Sequence, residues 1–368
     1  VAAWKLGAYG ISPFGSSTLV AGVSKPGYTQ GSSYSFAAVS GHRDAHATEC
    51  PGAAFHAQLP GIRTWATRPA AATVSVTGGA TTVGSTAYTR GTPTLSWAIT
   101  SPGRLVKDYQ VLVDGTVTAT TTTRSATLAL VPGAHRVSVR TRHMAGTTAT
   151  SKALAVTADA TAPTFPTRPG LRLRTGTAAT TKVPVTLTWK AADDVLLRRV
   201  KATAPSTTTF AATTTAWRTT ARPGAARTFT LVAVDAAGNT RKASVTGTPV
   251  IIQETAAKRT GTWKTRTSSH YLGGAALSST TRNSSLTWTF TGRSVGWVVS
   301  RASGSGRAVI YLDGTKVTTV DLRSTTTAYR QVLWGRNGLA NTTHTLRIVV
   351  VGTAGRPTVT TDGITVLR

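Results

Sequence analysis

The chain has 368 residues, 40% of them hydrophobic, with a single cysteine. No run of about 18 apolar residues occurs, which excludes a membrane-spanning helix, and one cysteine excludes an internal disulfide. Lys and Arg total 41 against 12 acidic residues, a net charge of +29, which favours polyanionic partners such as nucleic acid, anionic lipid or acidic wall polymers.

Two to four domains are expected at roughly this length. Residues 1 to 66 read as mixed α and β. "VAAWKLGAYG" reads as the middle of an amphipathic helix that Gly10 and Pro13 stop. A domain rarely starts inside a helix, so an upstream part is expected to be missing. "STLVAGVS" is a strand, and "SYSFAAVSGHRD" alternates as a strand up to Val39. "GAAFHAQLPGIRTWA" sets Phe55, Leu59 and Ile62 at helical spacing, with Pro51 in the first turn.

After Trp65, "TRPAAATVSVTGG" reads as a linker into a β domain. Trp97 in "PTLSWAIT" recurs as Trp189 in "VTLTWKAA", 92 residues later, and Gly146 recurs as Gly238 at the same offset. One offset at two anchors predicts a duplication of immunoglobulin-like sandwiches over 70–158 and 163–248, with both tryptophans in cores. "TADATAPTFPTRPG" between them, with three prolines, predicts a stiff linker. Asp193, Asp194 and Asp235 read as turn residues or as a calcium site. From about 250, short alternating strands such as "SLTWTFTG", with a hairpin turning at Asp313-Gly314, predict a two-sheet jelly roll. The fold class is therefore multidomain and mostly β. It comprises a truncated α/β domain, two sandwiches and a C-terminal jelly roll over 250–368.

The chemistry concentrates in "GHRDAHATECPG". His nitrogen and Cys thiolate are zinc donors, and catalytic zinc takes three protein ligands plus water. His42 and Cys50 are of the right kind. An exposed polar loop with an incidental cysteine is the other reading. "SGHRD…T-E-CPG" followed by "AFHAQLPGIR", and the opening "AAWKLGAYGISPFG", resemble the C-terminal end of the zinc-dependent N-acetylmuramoyl-L-alanine amidase and peptidoglycan recognition protein fold. The resemblance covers residues 1 to about 66. It implies that His42 and Cys50 are two of three zinc ligands and that Thr48 contacts the reacting carbonyl. The implied chemistry is zinc-assisted hydrolysis of the amide between N-acetylmuramic acid and L-alanine, Thr48 steadying the oxyanion. The family's third ligand, a His near the start of its domain, has no counterpart here. His46 and His56 are the local substitutes. Asp44 reads as a carboxylate orienting a ligand, or as an ion pair with Arg43 or Arg63.

The last module resembles the C-terminal jelly-roll domains of secreted actinobacterial wall enzymes. Trp263, Tyr271, Trp297, Tyr329 and Trp334 are its candidates for stacking on sugar, although aromatics on β faces are usually core. These resemblances imply a fragment of a secreted, wall-associated peptidoglycan hydrolase whose partners are peptidoglycan and anionic wall polymers. The alternative is a surface protein that binds glycan without turnover. No helix-turn-helix, zinc-finger spacing or basic stripe supports a specific nucleic-acid partner.

Overall fold

The computed structural model describes residues 1–9, 11–67, 70–100, 103–144 and 146–368. Gly10, expected to end the first helix, and residues 68–69 of the expected linker lie outside these. About 58% of the chain is strand and 8% helix, arranged as several separate sheets. Two compact units form. One is Val1–Thr161 with Ala236–Asn239, and the other is Ala162–Asp235 with Thr240–Arg368.

The first unit opens with the helix Ala2–Ala8 and the hairpin Ser16–Val20/Ser33–Ala37, a two-stranded sheet in which all five residues of the first strand are exposed. The expected single helix after Pro51 is two, Ala53–His56 and Leu59–Thr67. Pro60 has no N–H to continue the first, but sits well in the opening turn of the second. Leu59 is accordingly buried, while Phe55 stays exposed. Large hydrophobic side chains are exposed throughout this module: Trp4, Tyr9, Phe14, Leu19, Val20 and Phe55 among them.

The rest of the unit is a β sandwich. Strand Thr86–Ala98 alternates buried and open positions, and Leu95 and Trp97 enter a core with Tyr109, Val111, Val137 and Val139. Its first residues pair in parallel with Leu154–Ala158, and Thr94, Leu95 and Ser96 near its end pair with Ser125–Thr127.

In the second unit, a three-stranded sheet (Thr164–Leu173, Val183–Ala192, Ala216–Ala221) faces a four-stranded one (Thr208–Ala211, Leu197–Ala204, Arg227–Asp235, Thr240–Gly247). Leu187, Trp189, Val200, Phe229 and Leu231 lie between them. The expected proline linker is shorter than its sequence suggests. Pro166 and Pro169 lie inside Thr164–Leu173, an edge strand whose register slips twice across them, as strands do where a residue cannot donate to the ladder. Asp193 accepts the N–H groups of Val195 and Leu196, and Asp235 is buried at the end of its strand.

The third module packs a seven-stranded sheet on a five-stranded one, with Trp288, Trp297, Leu286, Ile310, Leu346 and Ile364 between them. One strand of the larger sheet comes from the preceding sandwich. Gly176–Thr177 pairs with Ala328–Asn337, and the Asn337 amide holds both the N–H and the C=O of Leu173 at 2.8 and 3.0 Å.

A device not anticipated as such recurs in the first sandwich and in the third module. Asp114 and Asp313 each precede a turn glycine at φ near +50°. Each accepts a histidine Nδ1 at 2.7 Å, from His135 and His344. Each histidine's Nε2 meets a backbone carbonyl, of Val131 and Ala340. Two acceptors favour the doubly protonated ring, and both histidine pKa values are raised by these bonds.

Candidate functional site

The loop 41–52 is tied from within. Gly41 N–H donates to Asp44 Oδ2 at 2.8 Å, and Asp44 Oδ1 lies 2.6 Å from His56 Nε2. His56, foremost, and the Gly41 N–H hold the Asp44 carboxyl below the usual range. Of the partners considered for Asp44, the close one is His56, because the helix Ala53–His56 ends against the loop, and the Arg63 charge adds to the lowering from further off. Arg63 also donates twice to the carbonyl of Val39.

The Arg43 N–H donates to the Cys50 carbonyl at 2.9 Å, so His42 and Cys50 stand at neighbouring points of one loop, both exposed. His46 lies with its ring 5.6 Å from that of His42. Thr48 Oγ1 accepts the Cys50 N–H at 3.2 Å. Among the described residues, no set of three His, Cys, Asp or Glu donors that includes His42 or Cys50 gathers within 4.8 Å. The loop thus offers two zinc donors and does not by itself form a three-ligand site. His56, one of the local substitutes, already holds Asp44 with its Nε2.

Beside this loop lies a cleft of about 530 Å³, lined by Tyr28, Tyr34, Phe36, Asp44, His56 and Arg63 among others. It lies between the hairpin strand Ser33–Ala37 and residues 56–63.

In the third module the five aromatic candidates separate. Trp297 is fully buried and directs its indole N–H to Thr361, so it has no face for a sugar; it is core. Trp263 and Trp334 pack part of their surface on the same core. Tyr271 and Tyr329 come together, ring centroids 5.6 Å apart and edge to face. His270, which the sequence reading passed over, stacks on Tyr329 at 4.8 Å with planes 17° apart. His270 is exposed and both tyrosines are half-buried. The adjacent pair His270-Tyr271 in a Ser- and Gly-rich loop was the available signal.

Two buried acids underlie this cluster. Asp362 is wholly buried and Glu254 nearly so. Burial pushes Asp362 up to about 7, with a further push from Glu254, against hydrogen bonds from the Arg330 N–H and Ser300. Burial also raises Glu254. Asp362 Oδ1 has no protein partner. Tyr271 is raised by burial, then by Tyr329 and Asp362. The Arg330 backbone is left-handed at φ +55°, a conformation that costs a non-glycine residue about 1 kcal/mol or more. This left-handed residue comes one position after Tyr329. At Gly363, φ +121°, a Cβ would fall 2.5 Å from the Ile252 carbonyl, so only glycine lets the last strand, Val359–Leu367, approach there.

No family model matches the chain, and no curated protein matches it. Solved structures do. The Agl-KA catalytic domain is 17% identical over 33% of this chain, TM-score 0.25, and the match spans only 27% of that chain. The fibronectin(III)-like modules of Clostridium thermocellum CbhA are 15% identical over 47% of this chain and 92% of theirs, TM-score 0.33. A CBM36-1 domain of a multidomain xylanase from the Trinervitermes trinervoides hindgut metagenome is 17% identical over 32% of this chain and 94% of its own, TM-score 0.25. At these identities and scores none supplies a ligand or an activity for this chain.

Proposed function

We propose that the chain belongs to a secreted, wall-directed protein that binds glycan through its third β module, with Tyr271, Tyr329 and His270 as the sugar platform. The observation that carries this reading is the ring cluster itself: three aromatic side chains joined face and edge and partly open, two from the loop at 270–271 and one from strand Ala328–Asn337, in a module where Trp288 and Trp297 are core. Stacking on sugar is a contact between apolar faces, so salt leaves it in place, whereas charge attraction is screened at about 0.5 M salt. In a pull-down of the full chain with insoluble peptidoglycan, a salt-resistant fraction should remain. Tyr329→Ala or His270→Ala should weaken that fraction by about 2- to 10-fold, the range of 0.5–1.5 kcal/mol for an aromatic contact. Disappearance of all binding at high salt would sink the platform.

A second reading concerns the first 66 residues, which we read as the C-terminal part of a zinc amidase domain acting on peptidoglycan. Two observations favour it. His42 and Cys50 share one tied loop, and the module's apolar side chains and lone hairpin stand uncovered, as they would if further strands of the same domain belonged on them. In this reading a covering segment supplies the third ligand, and Thr48 faces the reacting carbonyl. Titrated against a chromophoric competitor, this chain should bind zinc weakly, and Cys50→Ala should abolish what binding there is. Stoichiometric, tight zinc binding by this chain alone would mean that His46 or another local donor completes the site.

A further inference from the structure

Each immunoglobulin-like sandwich has a groove along the seam between its first and last strands. In the second sandwich it measures about 410 Å³ and runs between Thr164–Leu173 and Thr240–Gly247, lined by Phe165, Arg168, Pro169, Arg241, Lys242 and Ser244 among others. Those strands are edges of different sheets and are not paired to each other. In the first sandwich a groove of about 580 Å³ lies between the start of Thr73–Val83 and the residues leading into Leu154–Ala158, with Arg136 and Lys152 on its walls. The two occupy corresponding places. Thr73 and Lys152 of one stand at the 92-residue offset from Phe165 and Ser244 of the other.

Every charged side chain lining either groove is a cation, and all five are exposed. Among the described residues, none of the five forms an ion pair with an acid. Three like charges on one groove repel, and an anion laid between them relieves that repulsion. Phe165 is the single aromatic of the second groove and the first has none, so neither offers the row of rings on which nucleobases stack.

We propose that these seams are binding grooves for a linear polyanion recognised by its repeated charge, of the class of a phosphodiester-linked polyol. The proposal shares with the glycan reading only the wall as a setting; it concerns other residues and a different, salt-sensitive interaction. Edge cations also discourage strand-to-strand aggregation, but that role predicts no loss of ligand on their removal.

The test measures binding of the full chain to poly(glycerol phosphate), with polygalacturonate as the carboxylate arm and single-stranded DNA as the nucleic-acid arm. Three chains are compared: wild type, Arg168→Ser/Arg241→Ser/Lys242→Ser, and a control with equal charge removed, Arg218→Ser/Arg222→Ser/Lys316→Ser. The groove variant should bind poly(glycerol phosphate) roughly tenfold or more weakly, and its log–log salt slope should fall by about 2, at roughly 0.7 per phosphate contact on a single-stranded polyanion. The control should stay near wild type. Equal loss in groove variant and control would overturn the grooves as sites, as would tighter binding of DNA than of the polyol. Equal binding of polygalacturonate, lost in the same variant, would keep the grooves and assign them to anionic oxygen in general. Salt-resistant binding to peptidoglycan should be unchanged in all three, so failure here leaves the platform untouched.

Discussion

Asp362→Asn should make the protein more stable than wild type at pH 7 and above, with the gap closing toward pH 4. Asp362 is buried among Glu254, Ser300 and the Arg330 N–H, and its carboxyl is pushed from 3.8 up to about 7. The folded state therefore keeps a proton that the unfolded chain has released. Stability contributed by that proton is present below the unfolded value and is lost as pH rises through the folded one. The window is roughly pH 4 to 7, and about three pKa units correspond to about 4 kcal/mol at most. Asparagine resembles the protonated acid, so its curve should be flatter across that window. Glu254, raised in the same direction, adds to the slope that remains. Urea midpoints from pH 4 to pH 8 decide the matter. Parallel curves for the two proteins would mean that Asp362 does not hold its proton.

Trp189→Ala should destabilise the second unit by about 3–5 kcal/mol, the range for removing a large aromatic from a core. Trp189 is 2% exposed between the two sheets and touches the Phe210 ring at 5.2 Å. Its indole N–H has no protein acceptor, so Trp189→Phe removes volume but no hydrogen bond and should cost less. Neither change should alter glycan capture by the folded protein at low temperature. A Trp189→Ala protein with a wild-type melting transition and lost binding would reverse the assignment and make the residue a ligand contact.

The β architecture was legible because alternation is a local signal. Leu286, Trp288 and Phe290 alternate in sequence and all three are buried. The turn at Asp313-Gly314 was readable for the same reason, since its left-handed backbone is written into those two residues. Its histidine clamp was not, because His344 is 31 residues away and only the sheet brings it back. Alternation also cannot say which aromatic lies on the covered face of a two-sided sheet. Trp297 and Tyr329 read alike, yet one is core and the other is part of the open cluster. The buried acids were missed because nothing in "QET" or "TDG" announces burial; Glu254 and Asp362 meet only when Val359–Leu367 pairs with Pro249–Gln253. In the first module the motif named His42, Thr48 and Cys50, but spacing could not reveal that Asp44 would engage His56.

The pairing of Gly176–Thr177 with the strand that carries Tyr329 bears on how this protein would carry load. Gln331 bonds Thr177 with its side chain while also capping the carbonyl of Tyr329. In the proposed reading, no slack segment therefore separates a sugar held at the platform from the sandwich behind it. A polymer tugging on Tyr329 pulls directly on a hydrogen-bonded ladder, and the tension passes into the preceding sandwich through backbone rather than through a flexible tether. The arrangement gives up reach, since a long linker would let the platform search a wide volume. In exchange it fixes the direction in which the platform faces, which suits capture on a solid, ordered surface better than capture of a ligand free in solution.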